Sequence, residues 1–391
     1  MTTKRKGVRS AQGGGTIRQR ADGRWEARYT TGRDTGTGKQ VQRSVYGDTQ
    51  REVLDKLRDA TARVSSGTYI EPSRMTVAQW LDVWTSEYMG GIKENTAVTY
   101  KTQVEQHIKP ALGNVKLGAL TVPAVQKLYN DLRRNKGLSP KTIKNVHGVL
   151  NRAMNQAVTI RYLGVNPCAG ARLPRMEKRT IHPLAGDTVG AFLTAIDGHP
   201  LERLFKLTLF TGMRQSEVLG LTWDRVNFER GTLLVDRQLI REKVRGGGFK
   251  FASPKNDKSR LLSPAPSVMR ILREQQRRQA EAQLQAGTLW GNDWGLVFTN
   301  ELGRYLTHDY LFDHFKRVAR RIGLADNTFH DLRHSYAVAA LQSGDDVKTV
   351  QENLGHHTAA FTLDVYGHVS ERMKQDSAAR MEAFIQGFEK P

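Results

Sequence analysis

Apolar residues recur with two different periods along this chain, and the change of period divides it. From Gly15 to Tyr46, β-branched and aromatic residues gather in short runs. Thr16–Arg20, Trp25–Tyr29 and Gln40–Tyr46 read as strands, with turns supplied by Asp22-Gly23 and by the Gly32, Gly36 and Gly38 cluster. Thr49 then opens a helix to about Val64, because Val53, Leu54, Leu57 and Ala60 fall on one face at a helical period. The pattern predicts a three-stranded sheet backed by one helix. Ser65–Arg74, with Gly67, Pro72 and Ser73, reads as a linker, and residues 1–14 read as a flexible basic arm.

The next hundred residues carry only the helical period. Thr76 with Gln79 spells a capping box ahead of Val77, Trp80, Leu81 and Trp84. A second helix is expected from Asn95 to Ile108, stopped by Pro110, and a third from Thr121-Val122-Pro123 through Leu132, closed near Asn135-Lys136-Gly137. Ser139-Pro140 opens a fourth, with Ile143, Val146, Leu150, Met154 and Val158 on one face. Asn166-Pro167 ends this bundle, and Leu173–Pro183 reads as a basic linker. From Leu184 the pattern is mixed. Helices are expected at Thr188–Ile196, Leu201–Phe210, Gln215–Leu221, Ser267–Gln283, Thr307–Ile322, Leu332–Ser343 and Val347–Asn353. Strands are expected at Thr232–Arg237, Phe249–Ala252 and Arg260–Ser263. Three domains follow, at residues 1–66, 75–172 and 180–391, which suits a chain of 391 residues.

Charge changes the picture. Sixty Lys and Arg against 39 Asp and Glu leave a net +21, the balance of a polyanion binder, and nucleic acid is the leading polyanion. Residues 1–70 carry +8 and residues 71–175 carry +9, so the C-terminal half is close to balanced, as an enzyme domain would be. The sheet-plus-helix module therefore reads as a DNA binder that sets strands into a groove, with an oligomerisation or spacer module as the alternative. On the helical bundle, Lys136, Lys141, Lys144 and Arg152 read as a phosphate-contacting face. The apolar run at Leu204–Phe210 is short and broken by Lys206, and no run reaches the ~18–20 residues of a membrane span. Lys4, Arg5 and Lys6 precede glycines rather than an apolar segment, so no signal peptide is expected. A single cysteine, Cys168, excludes a disulfide framework and a cysteine zinc site, and points to a reduced, cytoplasmic setting.

Four local features of the last region carry chemistry. Thr211-Gly212-Met213-Arg214-Gln215-Ser216-Glu217 sets an arginine at a turn before a helix. Pro254-Lys255-Asn256-Asp257-Lys258-Ser259-Arg260 is a basic turn between strand-like segments. His330-Asp331-Leu332-Arg333-His334 puts His330 and Arg333 three apart on one helical face. Leu354-Gly355-His356 is followed ten residues later by Tyr366. Taken singly, each is an ordinary surface charge or tyrosine. His330 with His334, or His356 with His357, offers two metal ligands, but no HExxH glutamate or cysteine accompanies them, and no metal is expected.

As an ordered set, TGMRxSE, HDLRHS and LGHxxxxxTxxxY resemble the tyrosine recombinase family, in particular phage and conjugative-element integrases, over residues 15 to 370. The resemblance implies a small α+β arm-binding domain, an all-α, SAM-like four-helix core-binding domain and a mainly helical α/β catalytic domain. It implies an active site of Arg214, Lys255, His330, Arg333, His356 and Tyr366, with no cofactor. The family turn commonly reads Pro-Lys-Thr where this chain has Pro254-Lys255-Asn256, so Lys258 stands as the alternative to Lys255. The implied partners are double-stranded DNA, at core-type and arm-type attachment sites, and three further copies of the chain in a tetramer. An excisionase and a host DNA-bending protein are implied as accessory partners, and no membrane.

The chemistry fits the residue types. Cutting DNA without losing bond energy needs a nucleophile that stays on the phosphate, and a tyrosine phenol, neutral at pH 7 with a reference pKa near ~10, needs cations and a proton acceptor around it. Two arginines forked onto non-bridging oxygens stabilise the charge of the transition state, at ~2.7–4 kcal/mol for one such donor. A lysine on a mobile hairpin protonates the leaving 5′-oxygen, and histidines shuttle protons. Two rivals share parts of this pattern. A type IB topoisomerase would have the same nucleophile, but the two extra basic modules favour bipartite site recognition. A non-catalytic DNA-binding regulator would have no use for a tyrosine among arginines. After the tyrosine, Val369–Phe388 spaces Met373, Ala378, Met381, Phe384, Ile385 and Phe388 as an apolar helical face, expected to pack either on its own domain or on a neighbouring subunit.

Overall fold

The computed structural model describes residues 16–33, 36–66, 69, 74–176, 182–184, 186–242, 247–254 and 257–355, and in the tail 378–379, 381–382, 384–386 and 388. The expected N-terminal arm and, of the tail's apolar face, Met373 lie outside the described residues. Four of the tail's apolar side chains, Met381, Phe384, Ile385 and Phe388, are described and exposed. The chain divides into two compact units, Met1–Glu177 and Lys178–Pro391. No helix among the described residues is long and apolar enough to cross a membrane.

In the first unit, β1 (Thr16–Gln19), β2 (Trp25–Arg33) and β3 (Gln40–Gly47) form an antiparallel sheet in that order. Alternation along β2 sorts its two faces. Ala27 and Tyr29 are buried with Val53 and Leu57 of helix α1 (Gln50–Ser65), which Thr49 caps by accepting from the Glu52 amide. On the opposite face Glu26 is almost fully covered. It accepts from Arg18 Nε at 2.8 Å, Arg28 Nε at 3.1 Å and Ser44 Oγ at 2.8 Å, and these donors hold its carboxyl down at about 2. One carboxylate thus spaces the arginines of a basic outer face.

The helical stretch of this unit contains α2 (Val77–Glu87), α3 (Glu94–Gln103), a π turn (Val104–Ile108), α4 (Lys109–Leu112), α5 (Val122–Arg134) and α6 (Pro140–Thr159). The capping box of Thr76 and Gln79 forms as expected. Trp80 is fully buried and donates its indole N–H to the Ala153 carbonyl at 3.0 Å, which ties α2 to α6. Pro110 does not stop the second helix. The backbone widens into the π turn and continues through α4, and the Gln106 carbonyl, which an ordinary residue 110 would have bonded, accepts from Lys136 Nζ at 3.1 Å instead.

The second unit runs α7 (Asp187–Ala195), α8 (Glu202–Thr211), α9 (Gln215–Leu219), β4 (Val226–Asn227), β5 (Thr232–Val235), β6 (Gln238–Arg241), β7 (Phe249–Ala252), β8 (Arg260–Leu262), α10 (Pro266–Ala286), α11 (His308–Arg321), α12 (Phe329–Gln342) and α13 (Val347–Leu354). Helix α8 is covered nearly all round, with Leu204, Phe205, Leu207 and Leu209 buried beside Arg203, Thr208 and Thr211, and is the centre of the core. Helix α12 starts at Phe329, three residues before the expected Leu332, because Thr328 and Asp331 form a capping box. Strand β6 was not expected, since nothing between Val235 and Gln238 signals a turn. Its presence corrects the reading of the basic turn. The strands flanking that turn, β7 and β8, do not pair with each other. β7 pairs with β6, while β8 joins β5 and β4 in a second sheet. The turn therefore bridges two sheets rather than closing a hairpin.

Candidate active site

Two helix ends and one strand meet in the second unit. Helix α8 terminates at Gly212, which adopts the left-handed conformation at φ 65°. A Cβ here would lie 2.5 Å from Tyr336 Cδ1 and 2.7 Å from Leu354 Cδ2, so the close approach admits only glycine. Two residues on, Arg214 caps α9. Its backbone N–H donates to Glu217 Oε2 at 2.9 Å and its Nη1 to Glu217 Oε1 at 2.7 Å, while its Nη2 reaches the Gly355 carbonyl at 3.0 Å.

Helix α13 ends at Gly355, also left-handed at φ 62°. The final carbonyls of a helix have no intrahelical partner and carry the negative end of its dipole. Here three arginines take them. Arg260 Nε donates to the Asn353 carbonyl at 2.7 Å, Arg333 Nη2 to that of Leu354, and Arg214 Nη2 to that of Gly355. Arg333 is 1% exposed and also donates from Nη1 to the Gly212 carbonyl at 2.6 Å, which joins the ends of α8 and α13. Arg260 completes the set with a fork onto Glu217, at 3.0 and 2.6 Å.

Electrostatics follow from this packing. Burial opposes ionisation of Glu217, but the hydrogen bonds and charge of Arg260, and then the charge of Arg214, hold its carboxyl at about 2. His330 keeps access to solvent. Desolvation, then His334, Arg333 and Arg214, nevertheless push its imidazole down to about 4, so it is neutral at pH 7 and fit to accept a proton or donate a hydrogen bond. Tyr336, the described tyrosine beside these arginines, has its phenol pushed up by burial, and its oxygen accepts from Asn353 Nδ2 at 3.0 Å. It is held as packing. A cavity of about 430 Å³ opens beside Arg214 and is lined by Lys258, Arg260 and Lys348, a cationic space suited to a phosphodiester.

Of the residues singled out from sequence, the structure brings Arg214, His330 and Arg333 together. Lys255, His356 and Tyr366 lie outside the described residues, while Lys258 is described and lines the cavity. No motif in the sequence assigns a role to Glu217 or Arg260. Both stand inside the segments singled out from sequence, and the Arg214–Glu217 spacing of three across a helix start was the available signal.

Residues 184–373 match the phage integrase family, and residues 76–133 match the phage integrase N-terminal SAM-like domain. A tyrosine recombinase XerC-like protein of Caldanaerobacter subterraneus subsp. tengcongensis is 32% identical over 365 residues, spanning 89% of this chain and 93% of the relative. The Tn1549 transposon integrase, solved in complex with a circular intermediate DNA, superposes with a TM-score of 0.67 at 21% identity, over 78% of this chain and 99% of that one. A lambda integrase tetramer bound to a Holliday junction superposes with a TM-score of 0.56 at 19% identity, over 88% of this chain and 96% of that one.

Proposed function

The chain belongs to the phage integrase family of tyrosine recombinases, and from that premise we propose that Arg214, Lys255, His330, Arg333, His356 and Tyr366 form its active site. It is a site-specific DNA recombinase of mobile elements. The convergence of guanidinium groups on the carbonyl end of α13, one residue before His356, is the observation that carries the assignment. Tyr366 Oη attacks the scissile phosphorus, the bond to the 5′-oxygen breaks, and a 3′-phosphotyrosine forms. Arg214 and Arg333 stabilise the pentacoordinate phosphate. Lys255 gives its proton to the departing 5′-oxygen, and His330, neutral at pH 7, or His356 takes the phenolic proton. A 5′-hydroxyl from the partner strand reverses these steps, so the phosphotyrosine conserves the bond energy.

Around this centre we assign residues 1–66 to arm-type sites, through the basic outer face of the β1–β3 sheet, residues 75–172 to core-type sites, and residues 180–391 to catalysis. Four copies act on two recombining duplexes through a four-way junction, as the lambda integrase tetramer is seen to engage one. An excisionase and a host DNA-bending protein would set the direction of the reaction. The decisive experiment is Tyr366→Phe on a nicked suicide duplex built from the DNA that flanks the gene. DNA binding is retained and the covalent adduct on a denaturing gel disappears. An adduct that survives in this variant places the nucleophile elsewhere.

A further inference from the structure

Three candidates stand out beyond the assigned site: the exposed apolar residues of the tail, the hydrogen-bonded His199–His314 pair, and Arg260 with Glu217. The last carries furthest, because its hydrogen bonds join it directly to the partners of Arg214. We propose that Arg260 is a positioning residue of the cleavage reaction, one that neutralises the buried Glu217 carboxylate so that Arg214 keeps its positive charge for the scissile phosphate. The proposal rests on the reading of Arg214 as a phosphate ligand.

Glu217 has no solvent exposure at its side chain, and its two oxygens meet two guanidinium groups. Paired with Arg214 alone, it would cancel the charge that the phosphate needs, at contact distance and in a poorly screened interior. With Arg260 present, the trio carries a net +1. The share of the two arginines is unequal: Arg260 occupies both carboxylate oxygens, whereas the side chain of Arg214 donates to one. Arg260 is also mounted rigidly. It lies on β8, opposite Val235 of β5, and its Nε holds the Asn353 carbonyl on the same helix end that Arg214 and Arg333 hold. All three of its nitrogens donate to protein, two of them to Glu217, the partner of Arg214, so from the wall of the same cavity it acts on the site through Arg214. The dominant part of Arg260 in keeping Glu217 ionised agrees with this division of labour.

The test uses full-length protein, the same nicked duplex, and three readouts: single-turnover adduct formation, DNA affinity and thermal unfolding. Arg260→Met slows adduct formation by roughly tenfold to a hundredfold while DNA affinity changes by less than about threefold. Arg260→Lys, which keeps the charge, retains most of the rate. Adding Glu217→Gln to Arg260→Met removes the uncompensated carboxylate, returns the group to net +1, and recovers several-fold of the lost rate. A merely structural pin would gain nothing from that second change. If Arg260→Met fails to fold, the double variant, which leaves no unpaired buried charge, is judged against wild type. Adduct formation within about tenfold of wild type then upholds the proposal. A folded double variant that is inactive overturns it, as does Arg260→Met at the wild-type rate or a double variant no faster than Arg260→Met. Arg214→Ala run alongside separates the two levels. Unimpaired cleavage by Arg214→Ala removes the underlying reading, whereas its loss beside full activity in Arg260→Met removes the proposal alone.

Discussion

Replacing Gly212 by alanine probes why the site is built on two helix ends. At φ 65° an alanine costs about 1–2 kcal/mol in backbone energy alone. Its Cβ would also come within 2.5 Å of Tyr336 Cδ1 and 2.7 Å of Leu354 Cδ2. Neither neighbour swings away freely, since Leu354 is 0% exposed and the Tyr336 hydroxyl is bonded to Asn353. Overpacking of that kind adds about 1–3 kcal/mol. Gly231 supplies the control, with the same φ of 65° and nothing within 4 Å of its would-be Cβ. Gly231→Ala therefore loses only the backbone part. At roughly 2–4 °C per kcal/mol for a domain of this size, the melting transition of the second unit in Gly212→Ala should fall some 2–12 °C below that in Gly231→Ala by calorimetry. Single-turnover cleavage, measured below both transitions, drops in Gly212→Ala, because the displaced carbonyl is the one that receives Arg333 Nη1. Gly231→Ala cleaves like wild type. Equal melting shifts, or unimpaired cleavage by Gly212→Ala, would refute the account of the close approach.

Two other outcomes are open to measurement. In the free protein the His330 ring titrates at about 4, far below the usual 6.5, because desolvation and the charges of His334, Arg333 and Arg214 disfavour the imidazolium. On acidification the unfolded chain takes up this proton first, so His330 contributes a loss of stability between about pH 6.5 and 4 and none above pH 7. Proton NMR of the histidine rings from pH 4 to 8 checks it, and a midpoint at or above 6.5 contradicts the assignment. Deleting residues 1–70, which carry +8, leaves cleavage at the core site intact but impairs recombination of two full attachment sites. Recombination undiminished by the deletion would end the bipartite reading.

What the sequence determined by itself was whatever depends on neighbours a few residues apart. The capping box at Thr76 and Gln79, the apolar face of α6, and the turn at Asp22-Gly23 are local, and all three formed as their spacing required. The order of Arg214, His330, Arg333 and Tyr366 was legible for a different reason: residue identity at fixed spacing survives even where the chemistry joining the segments is invisible. Tertiary structure decided the rest. Nothing local states that β7 pairs with an unexpected β6, or that β8 pairs with β5, because strand pairing is a choice among distant partners. A proline's missing N–H predicts a helix stop at Pro110, unless a distant group takes the orphaned carbonyl, and Lys136 does so. In the same way, Glu217 and Arg260 gain a role only when β8 carries the arginine against a carboxylate 43 residues away, both under the end of α13. Burial in that junction, which no spacing rule encodes, turns two ordinary charges into the electrostatic support of Arg214.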